Sequence, residues 1–384
     1  MITGTQTVGD LAKELFLRAE QSGLRYAVLR NYERLPHLAA NTDDHAVTDI
    51  DLVMHRQDVP AWRNLAVSLA QDYGWDALTE CTHFCASRFP EHRIEIFRFY
   101  RHSPPACLQV DIFHGLLLWG VPFEKEDTLL EFRFEDPELN LTRISDFTEN
   151  AFRMLQLHAL LRDGAPAEKI ARYRRKVLDF YAAHETQFRG DLQSRFSTFG
   201  EQALDALVLN DLIKFQRAVR FGKTWFLGRF WSKHPFLTLH YFYERMWDHW
   251  YRFMTRQCGF VLRVHAPSDR DRFLLRSTLE EFEEKKILPA WTTRGGEQAR
   301  VTWPEHRIME RGGIAVKWEN APGDFLDATQ TADRDELAAA ILPRIIGRHQ
   351  VLYVRRTARL RLNERFSNSR AMECNHRVKP RADL

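Results

Sequence analysis

The sequence of 384 residues predicts a mixed α/β domain, followed by a helical region and then by a smaller α/β unit. Three observations support this order. Helical and strand-like patterns alternate up to about residue 113, helical spacing dominates from Ser145 to about residue 220, and a strand-like segment returns at Gly259. A chain of this length exceeds one typical hydrophobic core and suits two or three domains.

The spacing of apolar residues predicts the individual elements. Predicted helices of the first domain cover Val8–Glu20 and Pro60–Tyr73. The predicted strands are short apolar runs, and they are Tyr26–Leu29, Ile50–Met54, Phe84–Phe89, Ile94–Tyr100, Leu108–Phe113, Gly259–Val264 and Val351–Val354. Two later helices are predicted at Phe273–Lys286 and Asp333–Ile346. The predicted domains are residues 1–145, 146–254 and 255–355, and a basic tail over 356–384 is expected to be largely loose.

The composition narrows the class of protein. The sequence has 55 Lys and Arg against 52 Asp and Glu, so its net charge of +3 does not favour a nucleic-acid partner. Five cysteines argue against a disulfide scaffold and favour a reducing compartment. Cys81, His83 and Cys85 resemble half of a zinc site, but no second pair follows at a fitting spacing, so two small strand residues are the favoured interpretation.

The first residues show no secretory signal pattern, and no apolar run reaches the length of a membrane span, about 18 residues. We therefore expect a cytoplasmic location.

The segment Thr48-Asp49-Ile50-Asp51-Leu52 carries the strongest chemical signal. Side chains at positions i and i+2 of a strand point to the same face, so Asp49 and Asp51 lie together and Ile50 faces the other way. Two adjacent carboxylates repel each other, and the pair is costly unless a cation neutralises it. Mg²⁺ prefers such oxygen ligands and keeps positions open for substrate phosphates.

Asp111 is the candidate third ligand, because it is a lone acid within the apolar run Leu108–Phe113 and needs a partner. A neighbouring strand would bring it beside Asp49 and Asp51. The alternative is structural, since many Asp-x-Asp pairs cap turns and bind no metal.

This order of acids resembles the nucleotidyltransferase superfamily related to DNA polymerase β, over about residues 8–160. That superfamily has a strand, a Gly-Ser motif, a spacer, an Asp-x-Asp pair and a third Asp on a later strand. Leu29-Arg30-Asn31-Tyr32 followed by Asp49-Ile50-Asp51-Leu52 is similar to a bacterial subgroup associated with surface-polysaccharide loci. The resemblance implies a nucleotidyltransferase-type mixed sheet, a nucleoside triphosphate substrate and a two-metal Mg²⁺ site. Asp49 and Asp51 would hold both ions, and Asp111 would help to hold the catalytic one.

The Gly-Ser motif, which holds the nucleotide phosphates in the superfamily, is missing here. Arg30 stands in its place and could contact phosphate through a charge-assisted hydrogen bond. Asn31 could orient a phosphate oxygen or the sugar. The alternative for Arg30 is a surface ion pair.

In the same subgroup, helices and a thymidylate-kinase-like P-loop domain often follow. The segment from Cys258 to Asp269 stands where the first strand and phosphate loop of that domain would begin. The stretch from His265 to Arg272 has no glycine for close backbone approach and no Lys-Ser/Thr for phosphate and metal. We therefore expect a degenerate, ATP-silent P-loop-like domain.

The segment 225–253 is dense in aromatic residues with interleaved basic ones. The favoured interpretation is a helix packed between domains. The alternative is an interfacial helix that lies on a membrane surface or on another protein, which would place the protein at the periphery of the inner membrane.

Two functional hypotheses result. The first is an Mg²⁺-dependent enzyme that moves a nucleoside monophosphate group from a nucleoside triphosphate to a hydroxyl or phosphate on a small molecule, sugar or protein, with a role in surface-polysaccharide metabolism. The second is a catalytically silent assembly or membrane-surface protein that keeps the fold. A nucleic-acid polymerase is the third choice, because the charge is nearly balanced.

Overall fold

The computed structural model describes residues 7–30, 32, 35, 49–83, 87–137, 141–255, 259–285, 287–293, 313–320, 326–331, 333–346 and 350–355. It confirms the predicted mixed α/β class: a mixed sheet with helices on both faces is followed by a helical region and a smaller α/β unit. The predicted helices and most predicted strands of the first domain are present within a few residues of their expected bounds.

The strands are β1 Tyr26–Val28, β2 Asp49–Met54, β3 Ala77–His83, β4 Ile94–His102, β5 Pro105–Phe113, β6 Gly115–Leu118, β7 Val121–Lys125, β8 Phe134–Asp136, β9 Leu141–Arg143, β10 Phe260–His265, β11 Trp291–Thr293, β12 Ile314–Glu319, β13 Leu326–Asp327 and β14 Gln350–Val354. Eight of them form the large sheet, in the order β14-β3-β4-β5-β2-β1-β9-β8. In this sheet β2 runs parallel to β5 and β1 runs parallel to β9, and the other neighbours are antiparallel. Strands β6 and β7 form a separate hairpin.

The helices are α1 Val8–Gln21, α2 Val59–Asp72, α3 Glu126–Glu131, α4 Asp146–Arg162, α5 Ala167–Ala183, α6 Glu185–Phe196, α7 Thr198–Val208, α8 Leu212–Lys233, α9 Pro235–Thr255, α10 Asp269–Glu284 and α11 Arg334–Ile346. Helix α1 shows how local sequence sets a boundary. The Thr7 hydroxyl accepts a hydrogen bond from the Asp10 N–H at 3.1 Å, and the Asp10 carboxylate accepts one from the Thr7 N–H at 2.8 Å. This capping box satisfies two backbone donors of the first turn. The helix ends before Gly23, whose φ of 66° suits glycine.

Helices α1 and α2 cover one face of the large sheet. Leu15 and Trp62 from these helices pack against Ile50 and Leu52 of β2 and Val110 of β5, all of them at most 1% exposed. Burial of a large apolar side chain contributes roughly 1.5–3 kcal/mol, so this layer is a main source of stability for the first domain. It also fixes which side chains of β2 and β5 point to the opposite face.

The opposite face is shared by two further cores. Leu29 and Val53 pack with the helices α4 to α8. Ala77, Tyr100 and Cys107, near the β14 edge of the sheet, pack with the core of the smaller unit. The face between these two apolar regions carries the polar residues of β2, β4 and β5.

The smaller unit is built on a parallel sheet in the order β11-β12-β10-β13, with α10 and α11 packed together beside it. Only two residues, Pro267 and Ser268, separate the buried Ala266 after β10 from the start of α10. The Ser268 hydroxyl and the Asp271 carboxylate form a capping box at this helix start. The Ser268 hydroxyl thus accepts a hydrogen bond from the Asp271 N–H of the first turn. The degenerate P-loop-like domain stays a prediction.

Two strand predictions need correction. The strand expected at Phe84–Phe89 lies earlier, at Ala77–His83: residues 87–89 are not in a strand, and residues 84–86 lie outside the described part of the chain. Adjacent residues Ala77 and Leu78 are both buried, because both sheet faces are covered here, and so the alternation that marks a strand is absent. Strand β14, predicted within the third domain, forms the edge of the large sheet by pairing with β3.

Within the described residues, each helix falls short of the length or the apolar character that a membrane span requires. The aromatic segment 225–253 lies on α8 and α9.

Candidate functional site

Strands β2 and β5 bring the predicted aspartates together on one face of the sheet. Because the two strands are parallel neighbours, Asp51 is in register with Asp111, and Asp49 is in register with Gln109. Residues in register point to the same side of a sheet, as do Asp49 and Asp51 along one strand. Asp49, Asp51 and Asp111 therefore lie on the same face of two adjacent strands.

The surroundings disfavour the charged form of two of these acids. Burial, and then the nearby charge of Asp51, raises the pKa of the half-buried Asp111 to about 7. Asp49 begins β2 with its side chain open to solvent, yet partial loss of water and the charge of Asp51 also raise its pKa. Asp51 itself is only 5% exposed. The three carboxylates thus form a crowded anionic centre that a cation would stabilise.

Arg30, the predicted phosphate ligand, is turned toward the acids. It follows β1 and donates a hydrogen bond from Nε to Asp51 Oδ2 at 2.5 Å. Burial alone would lower the pKa of Arg30, but the attraction of Asp51 outweighs it and raises that pKa. The guanidinium therefore stays charged and neutralises one of the three carboxylates in the absence of any ligand. Asn31, the other predicted nucleotide ligand, lies outside the described residues.

Asp111 has a different partner. The amide Nε2 of Gln109 donates to Asp111 Oδ1 at 2.8 Å, and Gln109 Oε1 accepts a hydrogen bond from Arg98 Nε at 2.7 Å. An arginine thus balances Asp111 only at a distance, through a neutral amide. The three predicted acids are consequently not satisfied by arginines alone.

Helix α5 contributes positive charge above the acids. Lys169 lies near enough to Asp49 to lower the pKa of that carboxyl, against the stronger effects that raise it. Tyr173, one turn further along the same helix, is 7% exposed and lies close to the Arg30 guanidinium. Sequence analysis missed both residues, because only the packing of α5 against α4 places them opposite the sheet.

The segment that carries Arg30 is anchored by Tyr32. The Arg143 guanidinium of β9 lies 4.4 Å from the centre of the Tyr32 ring, and its Nη1 donates to the Tyr32 hydroxyl at 3.2 Å. The same guanidinium pairs with Asp136 and Asp146. This network ties the end of the Leu29-Arg30-Asn31-Tyr32 motif to the start of α4 and so holds Arg30 beside the strand ends.

Among the described residues, one group of three side chains has potential metal-ligand atoms that all lie within 4.8 Å of one another: His55, Glu126 and Asp127. The three aspartates of β2 and β5 do not meet that criterion. Arg25 Nη2 donates to His55 Nδ1 at 2.8 Å, and His55 Nε2 faces Glu126 and Asp127. A metal-bound histidine normally donates a hydrogen bond from its other ring nitrogen, whereas Nδ1 accepts one here, so the geometry favours a hydrogen-bonded cluster.

His114, directly after β5, belongs to the same cluster. Its Nε2 lies 3.1 Å from Glu95 Oε2, and its Nδ1 lies 3.3 Å from Glu126 Oε2. Burial would lower the pKa of His114, but the two glutamates raise it to about 9. At neutral pH this buried imidazolium therefore joins β4, β5 and α3.

No protein-family model matches the sequence, and no curated protein matches it. Among solved structures, an antigenic nucleotidyltransferase-like protein from Paracoccidioides brasiliensis is similar over 52% of this chain and 91% of that chain. The sequence identity is 14% and the TM-score is 0.30.

We predict that His114 stabilises the fold in a pH-dependent way. Its folded pKa of about 9 exceeds the ordinary value of 6.5, so its contribution is complete below pH 6.5 and is lost as the pH rises through 9. The shift corresponds to a contribution on the order of 3 kcal/mol. Urea unfolding of the native chain and of His114→Gln should give free energies that differ most at pH 6 and converge above pH 9. His234→Gln, at an exposed histidine, is the control. Parallel pH profiles of the native chain and His114→Gln would contradict the assignment.

Proposed function

We propose that this protein is an Mg²⁺-dependent nucleotidyltransferase, which moves a nucleoside monophosphate group from a nucleoside triphosphate to a hydroxyl or phosphate acceptor. The observation that carries the proposal is the register of Asp51 with Asp111 on adjacent parallel strands, beside Asp49. A role in surface-polysaccharide metabolism is part of the proposal, and it rests on the resemblance of the Leu29-Arg30-Asn31-Tyr32 and Asp49-Ile50-Asp51-Leu52 segments alone.

The residues present fit a divalent cation. All three donors are carboxylates, the ligands that Mg²⁺ prefers. Burial and then the charge of Asp51 raise the pKa values of Asp49 and Asp111, so a nearby cation would stabilise their ionised forms. Asp49 and Asp51 would hold both ions, and Asp111 would help to hold the one beside the acceptor. Bound Mg²⁺ supplies charge that activates the acceptor oxygen and stabilises the departing pyrophosphate.

Arg30 connects the ligand-free state with nucleotide binding. Without ligand it neutralises Asp51 at 2.5 Å. With Asp51 engaged by a cation, Arg30 would be free to donate two hydrogen bonds to a phosphate. Arg30 would thereby replace the missing Gly-Ser motif, with Lys169 of α5 adding positive charge from the opposite side. Asn31 is proposed to orient a phosphate oxygen or the sugar.

The proposed reaction exchanges one oxygen substituent of the α-phosphorus for another. The acceptor oxygen forms a bond to the α-phosphorus while the bond from that phosphorus to the pyrophosphate oxygen breaks. The proton of an acceptor hydroxyl passes to Asp111 Oδ2, because Oδ1 already accepts from Gln109.

A catalytically silent protein is the second candidate, and one observation favours it. The short ion pair between Arg30 and Asp51 already neutralises the most buried acid of the three. If that pair persists in the presence of Mg²⁺ and nucleotide, the fold serves as a scaffold. Substitutions at Asp49, Asp111 and Arg30 separate the two candidate functions.

Replacement of Asp49 by Asn should reduce nucleotidyl transfer by at least about a hundredfold, because the two-metal site loses a ligand. The side chain is open to solvent at the start of β2, so the fold should be retained. Pyrophosphate release measured with the four nucleoside triphosphates and Mg²⁺ tests this. Asp163→Asn, at an exposed acid paired with Arg162, is the matched control. Equal rates for the native chain and Asp49→Asn would remove the catalytic assignment.

Replacement of Asp111 by Asn should stabilise the metal-free protein. The folded pKa of about 7 exceeds the ordinary 3.8, so the native chain loses stability as the pH rises from 4 through 7. At pH 8 the neutral amide should therefore gain roughly 1–2 kcal/mol, a value discounted for partial exposure. Added Mg²⁺ should raise the melting temperature of the native chain more than that of the variant, which keeps Asp49 and Asp51 but loses one ligand. A purely structural acid would show no such Mg²⁺-dependent difference.

Replacement of Arg30 by Lys should separate metal binding from nucleotide binding. The lysine keeps a charge but loses the planar fork, so the affinity for a nucleoside triphosphate should fall about tenfold. The affinity for Mn²⁺ alone, followed by electron paramagnetic resonance, should be equal or higher, because competition for Asp51 is weaker. Arg18→Lys, on the surface pair with Asp72, is the control. Unchanged nucleotide affinity would leave Arg30 as a structural ion-pair partner only.

A further inference from the structure

Helix α9 packs with its polar side inward. Thr238 and Asp248 are 0% exposed and Glu244 is 3% exposed, whereas Phe236 is 85% and Met246 is 72% exposed. A surface helix of a globular protein normally shows the opposite arrangement, with apolar residues toward the core. Packing within the chain does not explain why the apolar side of α9 faces solvent.

The inner side of α9 is held by specific contacts. The Tyr241 ring stacks on Phe89 with 4.0 Å between ring centres. Glu244 Oε2 accepts a hydrogen bond from the backbone N–H of Arg88 at 3.0 Å. These contacts fix the rotation of the helix about its axis, so its apolar side cannot turn inward without breaking them.

The exposed apolar residues of α9 form one continuous stripe. They recur at intervals of three and four positions, which places them on a single side of a helix. The stripe consists of Phe236, Leu239, Tyr243, Met246, Trp247 and Trp250, and each of these is at least 44% exposed. The Trp247 and Trp250 rings lie 5.4 Å apart, so the two indoles form one surface.

Helices α8 and α9 together carry a positive net charge. From Leu212 to Thr255, the only acidic residues are Glu244 and Asp248, and both are buried on the inner side of α9. The exposed charged side chains of α8 are all basic, and they are Lys214, Arg217, Arg220, Arg229 and Lys233. The partner of this surface must therefore combine an apolar layer with negative charge.

We propose that the stripe of α9, together with the basic residues of α8, binds the surface of an anionic lipid bilayer. Tryptophan and tyrosine suit the boundary between headgroups and acyl chains, and an amphipathic helix lies in that plane rather than across it. Basic side chains beside the stripe then contact anionic headgroups. A second copy of this chain fits less well, because two positively charged surfaces would repel each other.

Flotation of the full chain with vesicles tests the proposal. Binding to vesicles of phosphatidylcholine and phosphatidylglycerol should exceed binding to phosphatidylcholine alone, and high salt should weaken it. The double variant Met246→Ser and Trp250→Ser should lose binding. The double variant Arg229→Gln and Lys233→Gln should lose about thirtyfold in affinity, since each basic residue near an anionic surface contributes roughly 1 kcal/mol.

The control variant is Phe273→Ser on α10, where an aromatic side chain is 71% exposed outside the stripe. It should bind vesicles like the native chain, and all variants should keep the native circular dichroism because the substituted side chains are exposed. Absence of binding to anionic vesicles would overturn the proposal. So would a dimer, seen by analytical ultracentrifugation, that the Met246→Ser and Trp250→Ser variant dissociates.

Discussion

Two carboxylates that lie side by side in the middle of a covered sheet require positive charge nearby. Residues of several elements in the first domain meet this requirement. Asp51 and Asp111 are in register because β2 and β5 are parallel neighbours. The apolar side chains on the other face of both strands are packed in the core, which fixes the face on which the two acids lie. Arg30 balances one acid directly, and Arg98 balances the other through Gln109. Burial and then the charge of Asp51 raise the pKa of Asp111, so its ionised form is destabilised and a nearby cation would stabilise it.

The position of this polar centre follows from how three hydrophobic cores divide the large sheet. One core covers a whole face through α1 and α2, whereas the opposite face is split between the helical region and the smaller unit. Between those two cores, the polar face of β2 and β5 carries Asp49, Asp51, Gln109 and Asp111. Binding sites are common between packed units, because polar side chains there keep access to solvent. Strand β14 extends the large sheet by pairing with β3.

Local sequence was enough to predict Asp49 and Asp51 as one acidic pair, because the period of a strand fixes the relation between positions i and i+2. It also identified Asp111 as an acid that needed a partner. The register that joins the strands, and the bond from Arg30 to Asp51, arise from tertiary packing and have no local signature. The cluster around His114 likewise has no local signature, since its partners Glu95 and Glu126 come from different elements. Strand β3 was misplaced because its residues are buried on both sides and show no alternation.

The orientation of helix α9 also could not be predicted from local sequence. The spacing of its aromatic residues predicts an amphipathic helix, but spacing alone gives the period and not which side faces the protein. The direction is decided by polar contacts, such as that of Glu244 with the backbone of Arg88, and by the stacking of Tyr241 on Phe89. Helix α9 buries two acids on its inner side and exposes two tryptophans to water, and both arrangements are unfavourable. Contact of the exposed side with an apolar layer would remove the tryptophans from water. Because the acids of α9 face inward and α8 has none, only basic side chains are left to meet the lipid headgroups.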